Sequence, residues 1–350
     1  MTLKYLELHT DQAKLYTEAL DILGDNHPYY KTEFLDIFYG GLDRAKALIA
    51  YNSDDKPLAV MPFYLREIEQ APSYFDVIST WGYSGPKFDR ELTLEDKREF
   101  WIAVDAWYHK HNIVSEFIRF KLNANHEGYT GFLVEGMHNI MGMIQDPEII
   151  WKNYNRKVRK NINRALRENL KVDFFYKSIS KKIFDDFYAI FVHTMDRTQA
   201  RTSYYYSYEK LWAYIQANPE NCAIVLTLKD NKPIASEMIL ISNSKVYSFV
   251  GGTLSDYFGL RPNEILKHRI IEWAFENNRK YFVLGGGYGT DDGIFKYKQA
   301  FFPADVCDYR MGRKIIDSEV YFKLSGIQKE NYNIEQDYFP LYRKENQGVL

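Results

Sequence analysis

Apolar and polar positions along the chain fall into two series with the same order of elements. In the first half, residues 45–51 form an apolar run that reads as a strand, Asn52 to Pro57 reads as a turn, and residues 58–65 return as the second strand of a hairpin. Residues 74–80 give a third strand. Residues 94–109 then carry Phe100, Trp101, Val104 and Trp107 at helical spacing, and residues 116–122 close the series as a strand. In the second half the strands are 222–228, 234–241 and 245–250, with the turn from Lys229 to Pro233 between the first two. A helix over 262–277 opens on proline, and the strand 281–284 runs into Gly285, Gly286 and Gly287. Lys56-Pro57 and Lys232-Pro233 hold the same place in the two series, offset by 176 residues. This order predicts an α/β chain made of two copies of one unit, each a mixed sheet flanked by helices.

Between the series lies a segment of different character. Asp146-Pro147-Glu148 is a helix start, with Asp as cap and Pro in the first turn. Residues 152–167 then hold seven basic side chains and no acid. At about 100° per residue, Arg156, Lys160, Arg164 and Arg167 share one face of a helix, and Val158, Ile162, Ala165 and Leu166 share the opposite face. The solvated-surface reading of such a stripe competes with phosphate recognition. A second helix is predicted over 181–195. The divisions are a first domain over 1–145, a second over 146–320 and a polar, tyrosine-rich tail over 321–350.

Composition narrows the function classes. With 350 residues and 46% hydrophobic content, the chain can bury two cores without disulfides. The net charge of −2 excludes a global pull toward DNA or an anionic membrane, so any anion site is local. The two cysteines, Cys222 and Cys307, have no metal-like spacing, and His109 and His111 lack partners for a metal, so no metal site is expected. The N-terminus has no apolar leader region, and no apolar run approaches the ~20 residues needed to span a bilayer. A cytoplasmic protein is expected.

The chemistry is expected in Gly285–Gly293 and the stretch to Phe302. Glycines after a strand let the backbone approach a ligand and present N–H groups to an anion. The run is neither a dinucleotide fingerprint nor a P-loop, because it lacks the helix start of the one and the Gly-Lys-Ser/Thr ending of the other. Glu237 lies inside an apolar strand, where a carboxylate is either paired or functional.

These residues resemble a known family. Gly259 to Leu266, Ile271 to Ala274, Phe282 to Gly287 and Phe295-Lys-Tyr-Lys298 up to Phe301 look like the C-terminal half of the FemAB-like acyltransferases, within the wider GNAT acyltransferase fold. Lys157 to Ala165 and Trp81 to Pro86 are similar to further segments of that family. The resemblance implies two tandem GNAT-like domains that move an acyl or aminoacyl group onto an amine of a cell-envelope or polysaccharide precursor. The first domain would form the acceptor side, and the second would carry the chemistry. It implies no tightly bound cofactor, and a donor that is either aminoacyl-tRNA or acyl-coenzyme A. The acceptor would be a small molecule or a lipid- or nucleotide-linked one, with peripheral membrane association allowed and DNA excluded.

The family's lysine falls on Lys298, which would stabilise the oxyanion of acyl transfer with N–H groups near Gly286 and Gly287. Lys296, of the same parity on a strand, is its substitute. Glu237 would take the amine proton, with Asp291 and Asp292 as alternatives. Substrate-binding candidates are Trp81, Tyr83, Gly85, Arg156, Arg159, Lys160, Arg197, Tyr205, Gly286, Gly287 and Tyr288. Tyr204 to Tyr206 would wall a cleft or simply pack. The stretch before Pro262, Asp256 to Arg261, has one glycine where coenzyme A enzymes of the fold carry a glycine-rich loop, which favours another donor. Two other readings are an acetyl-coenzyme A-dependent N-acetyltransferase of a nucleotide-linked amino sugar and a non-catalytic phosphoglycan- or RNA-binding protein.

Overall fold

The computed structural model describes residues 1–24, 26–122, 125–289 and 292–344. The chain divides into two compact units, one of Met1–Gly136 with the segment from Tyr309 onward, the other of Met137–Asp308. In chain order the first holds β1 (Thr2–Glu7), α1 (Ala13–Ile22), α2 (Thr32–Asp36), β2 (Ala45–Tyr51), β3 (Pro57–Glu67), β4 (Phe75–Ile78), β5 (Lys87–Phe88), α3 (Leu94–Lys110), β6 (Ile113–Arg119) and β7 (Phe132–Glu135). The second holds β8 (Asn139–Met143), α4 (Pro147–Asn153), α5 (Arg156–Arg167), β9 (Lys171–Tyr176), α6 (Lys181–Thr198), α7 (Tyr208–Ala217), β10 (Cys222–Lys229), β11 (Lys232–Ile241), β12 (Lys245–Thr253), α8 (Pro262–Glu276), β13 (Tyr281–Gly285), α9 (Gly293–Gln299) and β14 (Val306–Cys307). β15 (Arg310–Ile315) and α10 (Ser318–Ser325) return to the first unit.

The two sheets follow one plan. The first runs β1-β2-β3-β4-β6-β15-β7 with β5 beside β3, and the second, read from its other end, runs β9-β10-β11-β12-β13-β8-β14. In each, three antiparallel pairings lead to a single parallel step, β4 beside β6 or β12 beside β13, and two antiparallel strands follow. A parallel step needs a crossover, supplied by α3 in one unit and α8 in the other. The tandem reading of the sequence therefore holds at the level of topology.

The divisions of the chain lie elsewhere than the expected 145/146 and 320/321. β8 follows β7 in the chain yet pairs with β13 and β14 in the second sheet. β15 follows β14 yet inserts between β6 and β7 in the first. The second unit is thus one continuous segment that begins at β8, and the first sheet is completed by a strand that returns after it. A strand of five or six residues shows its period in the sequence but not its partner, because pairing is non-local.

Turn chemistry also separates the copies. β10 and β11 are joined by Asp230 and Asn231, both left-handed at φ 50° and 63°, the two-residue hairpin turn that matches strand twist. Between β2 and β3 the turn is longer, and the Asn52 carboxamide oxygen accepts from the backbone N–H groups of Asp54 and Lys56. α3 begins on a reciprocal cap between Thr93 and Asp96. One apolar core lies between α3 and the first sheet, around Phe100, Trp101 and Val104. Another lies between α8 and the second, around Leu266, Ile270 and Phe282.

Candidate active site

The second unit builds a polar cluster at its parallel step. β12 and β13 pair only from Lys245 to Tyr247 against Tyr281 to Val283. Beyond that point β12 continues to Thr253, while β13 ends at Gly285 and the chain turns toward α9. Polar side chains gather where the strands part. Lys267, on α8, donates through Nζ to both carboxylate oxygens of Glu237 at 2.5 Å and to Ser248 Oγ at 2.8 Å. Glu237 and Lys267 are both buried, at 5% and 9% exposure. Two buried charges are tolerated only when paired and hydrogen-bonded, which is the state found here. Also on α8, Glu264 accepts from Asn161 Nδ2 of α5 at 2.7 Å.

Lys298 belongs to this cluster, but on a helix. The expected strand is α9, so the parity argument for Lys296 fails, and Lys296 points to solvent as an exposed residue. Asp292 caps α9 through Phe295 N, and its other oxygen accepts from the backbone N–H groups of Tyr288 and Gly289. These bonds hold its carboxyl below the usual range. Asp292 is therefore the clasp of the glycine loop, with its lone pairs engaged, and not a base. Asp291 lies outside the described residues. The clasp and the first turn of α9 aim the Lys298 ammonium back at the loop, where Nζ donates to Gly286 O at 2.5 Å. Burial, and then the nearby Lys267 ammonium, lower the Lys298 pKa to about 8. The structure thus brings Lys298, Glu237 and Gly286 together. Gly287 packs against the Asp292 carboxylate, and Tyr288 stands 71% exposed at the loop's tip.

The remaining candidates are dispersed. Trp81, Tyr83 and Gly85 lie in the first unit, where the chain after β4 rejoins the sheet through a parallel bridge between Ser84 and Phe120. Gly82 and Gly85 have φ of 86° and 83°, and a Cβ on Gly82 would lie 2.2 Å from the Tyr29 ring. Tyr83 is buried edge-on to Tyr29 and Tyr309. Trp81 is half-exposed, with the Arg119 guanidinium 4.8 Å from its ring centroid. In this segment only Trp81 presents a broad open surface.

The basic helix is confirmed as amphipathic with one correction. Val158, Ile162 and Ala165 are buried, whereas Leu166, placed on the same face by its spacing, is 54% exposed. Arg159, a binding candidate, is turned away from any ligand, because Nη1 donates to the carbonyls of Trp151, Lys152 and Tyr154 at 3.3, 2.8 and 2.6 Å. It satisfies the end of α4, a structural task. Arg156 and Lys160 line a pocket on the outer face of α5. On α6, the guanidinium of Arg197 covers the exposed Phe258 ring at 4.9 Å. Tyr205 is exposed and donates to Asp196 at 2.8 Å, while Tyr206 is buried and stacks on Phe249 and Phe191. Tyr204 meets Tyr288 edge-on.

Sequence reasoning missed Lys267, Ser248, Glu264, Asn161 and Tyr297. Tyr297, on α9, has a buried hydroxyl without a hydrogen-bond partner among the described residues. A signal existed for two of them: Glu264 and Lys267 fall on the apolar face of α8, among Ile265, Leu266 and Ile270, where charges need partners. Among the described residues no group of three His, Cys, Asp or Glu side chains is placed to hold a metal.

Comparisons with known proteins bear on the fold. Residues 156–299 match the Acetyltransferase (GNAT) domain family. The fold is similar to that of FemX, at 11% identity, covering 92% of this chain and 99% of FemX with a TM-score of 0.64. It is also similar to the C-terminal domain of a putative lysylphosphatidylglycerol synthetase from Agrobacterium fabrum, at 12% identity, 87% and 93% coverage and a TM-score of 0.58. A tandem GNAT protein from the clavulanic acid biosynthesis pathway matches at 8% identity, 90% and 99% coverage and a TM-score of 0.50. No curated protein matches the chain in sequence. The second unit thus carries a GNAT acetyltransferase domain, and the whole chain has a tandem GNAT architecture. The fold is that of the GNAT acyltransferases, with the tandem arrangement seen in FemX and the clavulanic acid pathway protein.

Proposed function

We propose that the protein transfers an acyl or aminoacyl group onto an amine of a cell-envelope or polysaccharide precursor, with Lys298 at the reacting centre. The observation that carries this reading is the Lys298 ammonium, sunk beside the end of β13 and held on Gly286 O at 2.5 Å. The acceptor nitrogen attacks the donor carbonyl carbon and a C–N bond forms. The carbonyl oxygen becomes an oxyanion. The C–O or C–S bond to the carrier then breaks, and the carrier leaves with the bonding pair and takes up the proton that the amine nitrogen loses. Lys298 spends one of its three N–H bonds on Gly286 and offers the others to the oxyanion. Held in a partly dehydrated site, that charge is worth more than it would be in water.

Glu237 acts in this scheme as a positioning residue. Both its oxygens are taken by Lys267, so it fixes a second ammonium near Lys298 instead of receiving the amine proton. The cell-envelope acceptor is favoured by the likeness to FemX and to the C-terminal domain of a putative lysylphosphatidylglycerol synthetase. Acetyl transfer from coenzyme A is the second reading, favoured by the acetyltransferase family of residues 156–299. Against it, the stretch before α8 is a 3-10 turn, Ser255–Leu260, with one glycine.

The test is a donor panel of acetyl-coenzyme A and aminoacyl-tRNA, each with amine acceptors including nucleotide-linked amino sugars. Turnover with one donor, lost in Lys298→Ala, is the expected result. Full turnover in Lys298→Ala would overturn the assignment of Lys298. Turnover confined to acetyl-coenzyme A would replace the first reading by the second.

A further inference from the structure

An amine that is acylated loses a proton, and the carboxylates around Lys298 are engaged in holding the site together. Both oxygens of Glu237 are taken by Lys267, those of Asp292 by the loop clasp, and Glu264 accepts from Asn161. Histidine is the side chain suited to moving a proton at neutral pH. The second unit holds three, His138, His193 and His268. His193 stands on α6, and His268 packs beside Tyr154, with Nδ1 3.1 Å from the phenolic oxygen.

His138 is placed differently. It directly precedes β8, whose Ile140 pairs with Gly285 in antiparallel register, so the chain at His138 runs alongside the glycines that follow β13. A Cβ on Gly286 would lie 2.9 Å from the His138 carbonyl oxygen, an approach that only glycine allows. Gly286 is also the residue whose carbonyl receives Lys298 Nζ. The imidazole lies toward α9, its centroid 6.2 Å from that of Phe295, three residues before Lys298. His138 and Lys298 therefore flank the same glycine. His138 Nε2 is 4.0 Å from Asp308 Oδ1, and the two side chains are 50% and 58% exposed. An incoming acceptor can reach the ring, and the carboxylate favours the imidazolium once it forms. The other charged groups on the elements around it are Asp292, Lys296 and Lys298, with Asp305 at the far end of β8, on Met143 N.

We propose that His138, assisted by Asp308, is the base of the transfer. As the C–N bond forms, His138 Nδ1 takes the proton from the acceptor nitrogen. As the C–O or C–S bond breaks, the carrier leaves with the bonding pair and receives that proton from the imidazolium, and the imidazole returns to its neutral form. This role rests on the transferase reading of the site.

The test is the pH profile of transfer by the full chain, with acetyl-coenzyme A or aminoacyl-tRNA and an amine acceptor. The rate should rise with pH on the acid side and fall through about 8 with Lys298. His138→Gln should lower kcat by about 10²-fold or more and remove the rising limb while keeping the falling one. Imidazole in the buffer should restore transfer to His138→Ala, a rescue that lost packing alone does not permit. Lys298→Ala should do the converse, losing the falling limb and keeping the rising one, which separates failure of the base from failure of the Lys298 assignment. A rising limb unchanged in His138→Gln would overturn the inference. A second measurement needs no donor: by ¹⁵N NMR of the free chain, the His138 titration should move to lower pH in Asp308→Asn and to higher pH in Lys298→Met. A His138 indifferent to both substitutions would overturn the inference equally.

Discussion

The two units resolve the same parallel step in opposite ways. In the first, β4 and β6 pair from Phe75 to Ile78 against Ile113 to Phe117, and the chain then folds back so that Ser84 bridges Phe120. The place where the strands would part is filled by backbone and by the rings of Tyr83, Tyr29 and Tyr309. In the second, β12 and β13 separate after three residue pairs, and the place is filled by Lys267, Glu237, Ser248 and Lys298. Backbone and aromatic rings close a gap at little electrostatic cost. Buried ammonium groups do so only at a cost, and such cost is the mark of a working site. One topology therefore closes as a packed scaffold in one unit and around a cluster of buried polar groups in the other.

The largest expected effect comes from breaking the polar filling. Glu237→Ala leaves Lys267 buried without its partner and should lower unfolding free energy by about 3–5 kcal/mol, read from denaturant titration. An unchanged midpoint would mean that water reaches the pair. Lys298→Ala should cost transfer about 10²–10³-fold with folding intact, the size of one lost oxyanion donor. Trp81→Ala in the first unit should leave the rate on saturating substrate within a few-fold, and an equal loss in both would dissolve the contrast between the units.

Lys298 also ties the contrast to pH. Transfer that needs its ammonium should fall as pH rises through about 8. A rise through that pH would mark it as a base. The stability effect has the opposite sign. Between about 8 and the ordinary lysine value of 10.5, the unfolded chain binds the proton that the folded chain has released, so stability increases with pH there. The penalty is complete below the window and absent above it. Lys298→Met should remove this slope and stabilise the protein at neutral pH by roughly 1–3 kcal/mol, as shown by melting across pH.

In the first unit, Gly82→Ala should cost roughly 1–3 kcal/mol, because its Cβ would strike Tyr29 from a left-handed backbone. Chemistry per folded molecule should survive, and its loss would give the scaffold unit a part in the reaction. The smallest effect is expected from Arg159→Ala, about 1 kcal/mol of stability through the open end of α4, with transfer per folded molecule retained. Loss of transfer at unchanged stability would return Arg159 to the binding candidates.

By itself the sequence determined the hairpins, the crossover helices, the cationic helix and the glycine loop after β13. Each is written in short-range periodicity or in turn residues, and those signals survive without knowledge of distant partners. It also marked Glu237 as paired or functional, because a carboxylate in an apolar strand admits little else. Only the tertiary structure decided which it was, by placing Lys267 of α8 against it. It likewise moved Lys298 from a strand to a helix, withdrew Arg159 from the binding candidates and Asp292 from the reaction, and exchanged β8 and β15 between the sheets. All of these depend on which residues meet across long separations, and burial, pairing and register are settled only once the chain has closed on itself.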